Sequence, residues 1–326
     1  MPEILQKIPP VPAFFSRILK IIFVLAAVFL VFWLSLLIIP FKPLNRFINR
    51  PCSTRFYDRN GILLQISSVD GGLRREWTDL EKIPQSVQQA FIEAEDKNFY
   101  RHHGVDILAI LRALGQNTRA QSRVSGASTI TMQLARMVVP RQSANVTLGQ
   151  KMKETFNALR IEAKLSKKQI LELYLNNVPF GFRTEGVTSA ARNFYGVQLH
   201  QLSFEQIETL ALFPRRPATY IQKVPGAAVF EYPNNAPHFV NFVKNLYAGN
   251  LGGNFQIDLA GKKTGANAKK ANCTRLPPDL YLSIDLPLTE ECRSRLFQTS
   301  LDYKTARIND GAAFLIDNIT GEILVW

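Results

Sequence analysis

Two acids and a set of hydroxyl, amide and cationic side chains are the groups in this chain whose types and spacing could do chemistry. Glu95 lies in the stretch Phe91 to Asp106, FIEAEDKNFYRHHGVD. Val87, Ala90, Phe91 and Ala94 recur at the three-and-four spacing of an apolar helix face, and Glu95 falls one turn after Phe91, at the edge of that face. A carboxylate placed there is partly desolvated and suited to general-base work. Asp96, one residue on, points elsewhere. The competing reading makes Glu95 and Asp96 ordinary charges at a helix end.

A second set follows. Thr129, Gln133 and Arg136 stand at i, i+4 and i+7 of the run TITMQLARMVV, so one helix face offers a hydroxyl, an amide and a guanidinium without an acid. A wall of donors suits phosphate oxygens. Lys151 and Glu154 stand three apart near the start of LGQKMKETFNALRIEAKL, where the helix dipole also favours anions. Taken blandly, they are an i, i+3 surface ion pair. His102 and His103 are neighbours that cannot readily aim both rings at one ion, and neither CxxC nor Cys/His metal spacing occurs, so no protein-built metal site is expected. Cys52, Cys273 and Cys292 permit one disulfide and require none.

The elements that must position these groups can be read in turn. Pro84 fits the first turn of the helix that ends near Glu95. Asp106 can cap a helix carrying Ile107, Leu108, Ile110, Leu111 and Leu114, followed by the polar loop GQNTRAQSRVSGAS. Such a helix either dips into a lipid surface or packs in a core. After Ser128 the next helix should bury Ile130, Leu134, Met137 and Val138. Thr147 can cap the third, with Met152, Phe156, Leu159 and Ala163 as its expected core stripe and Glu154, Ala158, Ile161 and Leu165 as a second half-apolar side. Ser166/Gln169 and Ser203/Gln206 have capping-box spacing before apolar runs, and Pro214 ends the second of these.

Around this block, the sequence predicts an anchor, a connection and a tail. Ile21 to Ile39 is a charge-free run of nineteen residues, about 28 Å as a helix, enough to span a bilayer core without a cleavage site after it. Basic residues flank it on both sides, so the positive-inside rule does not orient it. Arg55 to Trp77 reads as a turn at Asp58 to Gly61, an alternating strand at Ile62, Leu64 and Ile66, and a second turn at Asp70 to Gly72. Residues 248 to 272 turn to Gly, Asn, Lys and Ala, as in a linker. The tail then supplies a strand at LYLSID, a helix at PLTEECRSRLFQTSLDY and two strands around an Asn318 to Gly321 turn. With 326 residues, 46% hydrophobic, the chain can build about two packed domains. Its 39 basic against 26 acidic residues, +13 net, favour an anionic partner but do not choose among nucleic acid, acidic lipid and phosphorylated substrate. No nucleic-acid-binding module is recognisable.

Four runs in order, EDKNFYRHHG (95–104), GASTITMQLAR (126–136), QKMKE (150–154) and KKQILELYLN (167–176), resemble the motifs of the family 51 peptidoglycan glycosyltransferases of class A penicillin-binding proteins and monofunctional transglycosylases. The likeness continues through FGFRTEGVTSAARNFYG and LALFPRRPATY, and YPNNAPHF is similar to the 1C branch. The resemblance implies a mainly α fold: a lysozyme-like helical glycosyltransferase domain after an N-terminal transmembrane helix, with a small α+β C-terminal remnant. The implied divisions are 1–41 cytoplasmic tail and anchor, 42–80 connecting strand segment, 81–225 glycosyltransferase domain, 226–272 linker, and 273–326 the truncated start of a transpeptidase-like domain.

Carried over residue by residue, the resemblance makes Glu95 the base and Glu154 the second essential acid. Thr129, Gln133, Arg136 and Lys151 match positions near the donor's phosphates. Asp96, Phe99 and His102 match positions that support the base and its helix. A divalent cation, magnesium or manganese, between phosphate oxygens is compatible with the pattern. The implied partners are lipid II, the growing glycan chain, the membrane and cell-wall synthesis proteins, and the implied place is the inner membrane, single-pass, with the catalytic domain outside the cytoplasm. Met132 and Gln150 depart from the pattern, standing where glutamine and arginine are usual; Arg136 replaces the usual lysine and keeps its charge. Transpeptidation is not expected: Lys263, Thr264 and Gly265 spell KTG, but no serine precedes a lysine with Ser-x-x-Lys spacing. A muramidase-like hydrolase and a catalytically weakened scaffold are the alternatives.

Overall fold

The apolar run near the N-terminus forms one continuous helix, α1 (Ala13–Ile38). Within it Ile18–Ile38, 21 residues, is long and apolar enough to cross a membrane. The structure, a computed structural model, describes residues 13–112, 128–141, 147–215, 232–247, 278–302, 312–313, 315–317, 319–320 and 322–325. Further helices are α2 (Lys42–Ile48), α3 (Gln85–Glu95), α4 (Ile130–Val138), α5 (Leu148–Glu162) and α6 (Lys167–Asn177). Then come α7 (Val187–Tyr195), α8 (Phe204–Leu212), α9 (Pro237–Tyr247) and α10 (Leu286–Asp302). The strands are short: β1 (Arg55–Tyr57), β2 (Leu63–Ile66), β3 (Arg74–Arg75), β4 (Pro179–Gly181), β5 (Thr184–Glu185), β6 (Asp279–Tyr281), β7 (Leu315–Ile316) and β8 (Ile323–Val325). The chain is mainly helical, as expected, and divides into two compact units.

The first unit comprises Met1–Ile48 and Asn98–Ile170. Its second element corrects the sequence reading. Residues 42–48, taken as part of a strand-forming connection, are helical, because Phe41, Leu44 and Phe47 recur every three residues and all three are buried. Helices α4 and α5 pack together, and α5 is tied to the segment just after α1 by Arg160, which donates to the Pro40 carbonyl at 3.1 Å and lies 4.1 Å over the Phe41 ring. Thr147 and Gln150 form a reciprocal capping box at the start of α5. The expected core stripe of α5 is overturned. Met152 and Phe156 are exposed, and Glu154, Ala158 and Ile161 are buried, because it is the second half-apolar side that turns toward α4. Leu114 and the loop over 115–127 lie outside the described residues.

The second unit comprises Asn49–Lys97 and Leu171–Trp326. Helix α3 packs on α8, which Ser203 and Gln206 start with the expected capping box. Strands β3, β5 and β4 form a small sheet in that order. A second sheet, β2-β1-β6, corrects the domain division. β1 pairs antiparallel with β2 and parallel with β6, in the register Phe56↔Leu280, so the supposed connection and the supposed remnant build one sheet. One core holds Phe56 and Leu64 from the early segment, Phe239, Val240 and Val243 from α9, and Leu282, Ile284 and Leu286 from the tail. The linker assigned from residue 226 therefore contains a structural helix, α9. Asp58 locks this module: its Oδ1 accepts from the Asn60 and Ile62 amides and its Oδ2 from the Leu286 amide. The tail elements follow the expectation, with β7 and β8 antiparallel. The KTG run and residues 248–272 lie outside the described residues.

Candidate active site

In the second unit, Glu95 is the last residue of α3. Val87, Phe91 and Glu95, four residues apart, are its buried positions, so the acid lies on the innermost stripe rather than at its edge, 6% exposed. Asp96 is buried beside it, leaves helical geometry (φ −160°, ψ 75°) and sends its amide back to the Ile92 carbonyl at 2.7 Å. The sequence builds this site through aromatic packing. Phe91 meets Tyr174 and Phe180 edge-on, and Phe180 and Phe194 both meet Phe213. Phe213 closes α8, and two residues beyond it Arg215 reaches Glu95, donating from Nε to Oε2 and from Nη2 to the main-chain carbonyl, both at 3.2 Å. One aromatic cluster thus fixes both the helix of the acid and the segment that delivers its cation. Arg215 lies within the run LALFPRRPATY, but no local spacing marks it, since it is 120 residues from Glu95.

In the first unit, Lys151 and Glu154 come together as expected, and a third group joins them. Lys151 Nζ donates to Glu154 Oε2 at 3.0 Å and to Ser128 Oγ at 2.9 Å, while Arg141 Nε donates to Glu154 Oε1 at 2.6 Å. Glu154 is 5% exposed. Burial alone would raise its carboxyl, but the hydrogen bonds and charges of Arg141 and Lys151 outweigh that and hold it below the ordinary carboxylate range. Arg141 follows Pro140 just past the end of α4; as an isolated cation in a connection it carried no sequence signal.

The remaining expected residues divide between chemistry and support. Thr129 is corrected: it is 2% exposed and caps α4, its hydroxyl donating to the Gly104 carbonyl at 2.6 Å and accepting from the Met132 amide at 3.1 Å, so it is not on an open donor wall. The close approach requires a glycine, since Gly104 has φ +84° and a Cβ there would lie 3.2 Å from the Ala158 backbone. Gln133 is half-buried and Arg136 exposed, so those two keep an accessible face. Phe99 is fully buried, edge-on to Tyr100 and 4.5 Å beneath Lys167 Nζ, and Lys167 in turn pairs with Glu162 at 2.7 Å. His102 is half-buried in the same loop, which Asp106 braces by accepting from the Asn98 amide group and the Ala109 backbone; those bonds hold its carboxyl below the usual range. Met132, where glutamine was the expected type, is a core residue. Gln150 is occupied by its cap. A divalent cation is not favoured by this donor set, because both oxygens of Glu154 already accept from cationic side chains.

Comparison with known proteins places this architecture. The family model described as Transglycosylase matches residues 62–232. The chain is 42% identical over 166 residues to penicillin-binding protein 1A of Escherichia coli, covering 49% of this chain and 19% of that protein. It is 38% identical over 170 residues to penicillin-binding protein 1A of Aquifex aeolicus, 52% of this chain and 23% of that one. With penicillin-binding protein 1A/1B of Bacillus subtilis it shares 38% identity over 174 residues, 53% of this chain and 18% of that one. The matched stretch therefore spans about a fifth of the length of these relatives.

Proposed function

Because the chain belongs to the transglycosylase family, matched over more than half of its residues, we propose that it is a membrane-anchored peptidoglycan glycosyltransferase that polymerises lipid II. Glu95 takes the proton of the acceptor sugar's hydroxyl as that oxygen forms its bond to the donor's anomeric carbon. The bond from that carbon to the pyrophosphate breaks, and polyprenyl pyrophosphate leaves with the electron pair. Leaving as an anion, it needs no proton, only donors aimed at its growing charge. Lys151, Arg136 and Gln133 supply them, and Glu154 holds Lys151 in place. Ile18–Ile38 anchors the chain in the plasma (inner) membrane, with the transferase part on the extracytoplasmic side, where lipid-linked precursor and glycan chain meet.

The observation that carries the reading is the burial of Glu95 on the apolar stripe of α3 with a guanidinium at its carboxylate. Burying a charge this deeply is costly and is sustained only by a specific partner. The pairing supports transfer over hydrolysis. A muramidase needs a protonated acid for its leaving oxygen, and a guanidinium 3.2 Å from Glu95 Oε2 leaves no evident role for such a proton. The test is incorporation of labelled lipid-linked precursor by the full chain and by Glu95→Gln. Polymer and polyprenyl pyrophosphate are expected from the first and neither from the second. Sugar fragments released from finished wall, or polymer formed undiminished by Glu95→Gln, would overturn the proposal.

A further inference from the structure

A cleft of about 500 Å³ that Glu95 does not line lies on the second unit, bounded by Arg55 and Tyr57 of β1, Trp77, Thr188 and Arg192 of α7, and Asp279 of β6. Its size falls within the range of small-ligand sites, about 300–1,000 Å³. Its charges cancel one by one. Arg55 grips both oxygens of Asp279 at 2.6 and 3.1 Å, Arg192 Nε reaches both oxygens of the fully buried Glu76 at 3.3 and 3.2 Å, and at the rim Lys82 pairs with Asp79 at 2.9 Å. A phosphate or an acidic peptide would have to displace a carboxylate already in place, so neither is favoured.

What remains is a rigid set of hydrogen-bonding groups beside aromatic rings. Arg55 also donates to the Trp77 carbonyl at 3.0 Å, and Thr78 and Thr188 share a hydroxyl bond at 2.7 Å, so these positions are braced before any ligand arrives. Tyr57 stacks on Tyr281 at 5.0 Å, and Tyr281 is exposed, which extends the aromatic surface out of the cleft. Aromatic faces for an apolar ring face, with fixed donors and acceptors at its edge, match a neutral pyranose. We propose that this cleft binds a short segment of uncharged, N-acetylated saccharide. Resting on the transferase reading given above, its natural occupant is the glycan strand the chain itself elongates, held at a second point while sugars are added.

The probe is the tetramer of β-1,4-linked N-acetylglucosamine, titrated by calorimetry against the full chain in detergent, with maltotetraose as control. Saturable binding of the first sugar and not the second is expected. Trp77→Ala and Asp279→Asn should each weaken it tenfold or more, with unfolding temperature checked for both. The rim variant Lys82→Ala, half of an exposed pair, should weaken it less while leaving the fold untouched. Glu95→Gln should bind like the unaltered chain, so a chain that binds but does not polymerise supports the cleft even where the transferase reading fails. No binding by the unaltered chain, equal binding by folded Trp77→Ala, or loss of binding in Glu95→Gln would overturn the proposal.

Discussion

Arg215 holds Glu95 at two places at once, its carboxylate and its main-chain carbonyl, with both bonds at 3.2 Å. The guanidinium therefore fixes the acid relative to the end of its own helix. Its side chain is 47% exposed but that of Glu95 only 3%, so removing the guanidinium takes a charged hydrogen bond from a buried carboxylate and should cost about 1–3 kcal/mol, toward the lower end because solvent screens the exposed partner. Beyond that stability loss, Arg215→Ala should lower kcat of the folded chain on the order of tenfold, the equivalent of about 1.4 kcal/mol, with KM almost constant. Arg215→Lys should recover only part, because an ammonium brings the charge without the two-pronged grip. Steady-state polymerisation kinetics decide it, and a rise in KM at constant kcat would contradict a positioning role.

Glu154 gives a pH signature. Its carboxyl is held below the ordinary value of 4.5 in the folded chain, so it adds stability at pH above that value and loses it as pH falls through the lower, folded value. Denaturant midpoints for the unaltered chain and Glu154→Gln should therefore differ most near neutral pH and converge below about pH 4.5. Arg141→Ala leaves the buried carboxylate with Lys151 alone and should cost about 1–3 kcal/mol at neutral pH. A constant gap across the titration would show that the Arg141 and Lys151 bonds are not what stabilises this end of α5.

Gln150 tests a departure from the family pattern. Its side chain accepts from the Thr147 amide at 3.1 Å as half of the capping box. Gln150→Arg removes that acceptor and adds a positive charge at a helix N-terminus, where the dipole is unfavourable; the combined loss should be about 1 kcal/mol. Activity should move the other way, unchanged or raised, since a further cation would join Lys151 at the donor-phosphate site we propose. Thermal unfolding and polymer yield measured on the same variant separate the two effects. A drop in yield larger than the stability loss explains would mean that Gln150 itself is suited to the substrate.

Sequence was informative here where a signal is local. The cap at Thr147, the capping boxes at Ser166 and Ser203, the Asp58 turn, the Lys151–Glu154 pair and the helix ending at Glu95 all depend on residues within one or two turns of each other. It failed where partners are distant. The β1–β6 pairing joins residues more than 220 apart, so two segments of one sheet read as separate modules. Arg141 and Arg215, the latter followed at once by Arg216, lie in connections, and their meaning appears only once they meet Glu154 and Glu95. Helix α5 failed for another reason: both its faces are half-apolar, and periodicity alone cannot say which one another helix covers.

That exposed face of α5 yields the last prediction. Leu148, Met152 and Phe156 recur every four residues and are 80, 65 and 45% exposed, forming one apolar stripe on the unit that contains α1. In the same unit Ile107, Leu108 and Leu111 are exposed as well. Apolar surface of this kind is unfavourable in water by about 25 cal/mol per Å², and the helix bearing it is fastened through Arg160 to Pro40, just beyond the stretch long and apolar enough to cross a membrane. The stripe should therefore rest in the lipid interface. A spin label at Met152→Cys in the full chain, reconstituted into vesicles, should be relaxed more by lipid-soluble oxygen than by an aqueous nickel chelate. At the neighbouring Lys153→Cys the order should reverse, because adjacent helix positions point about 100° apart. Were both labels equally open to nickel, α5 would face water, and its apolar stripe would need another covering.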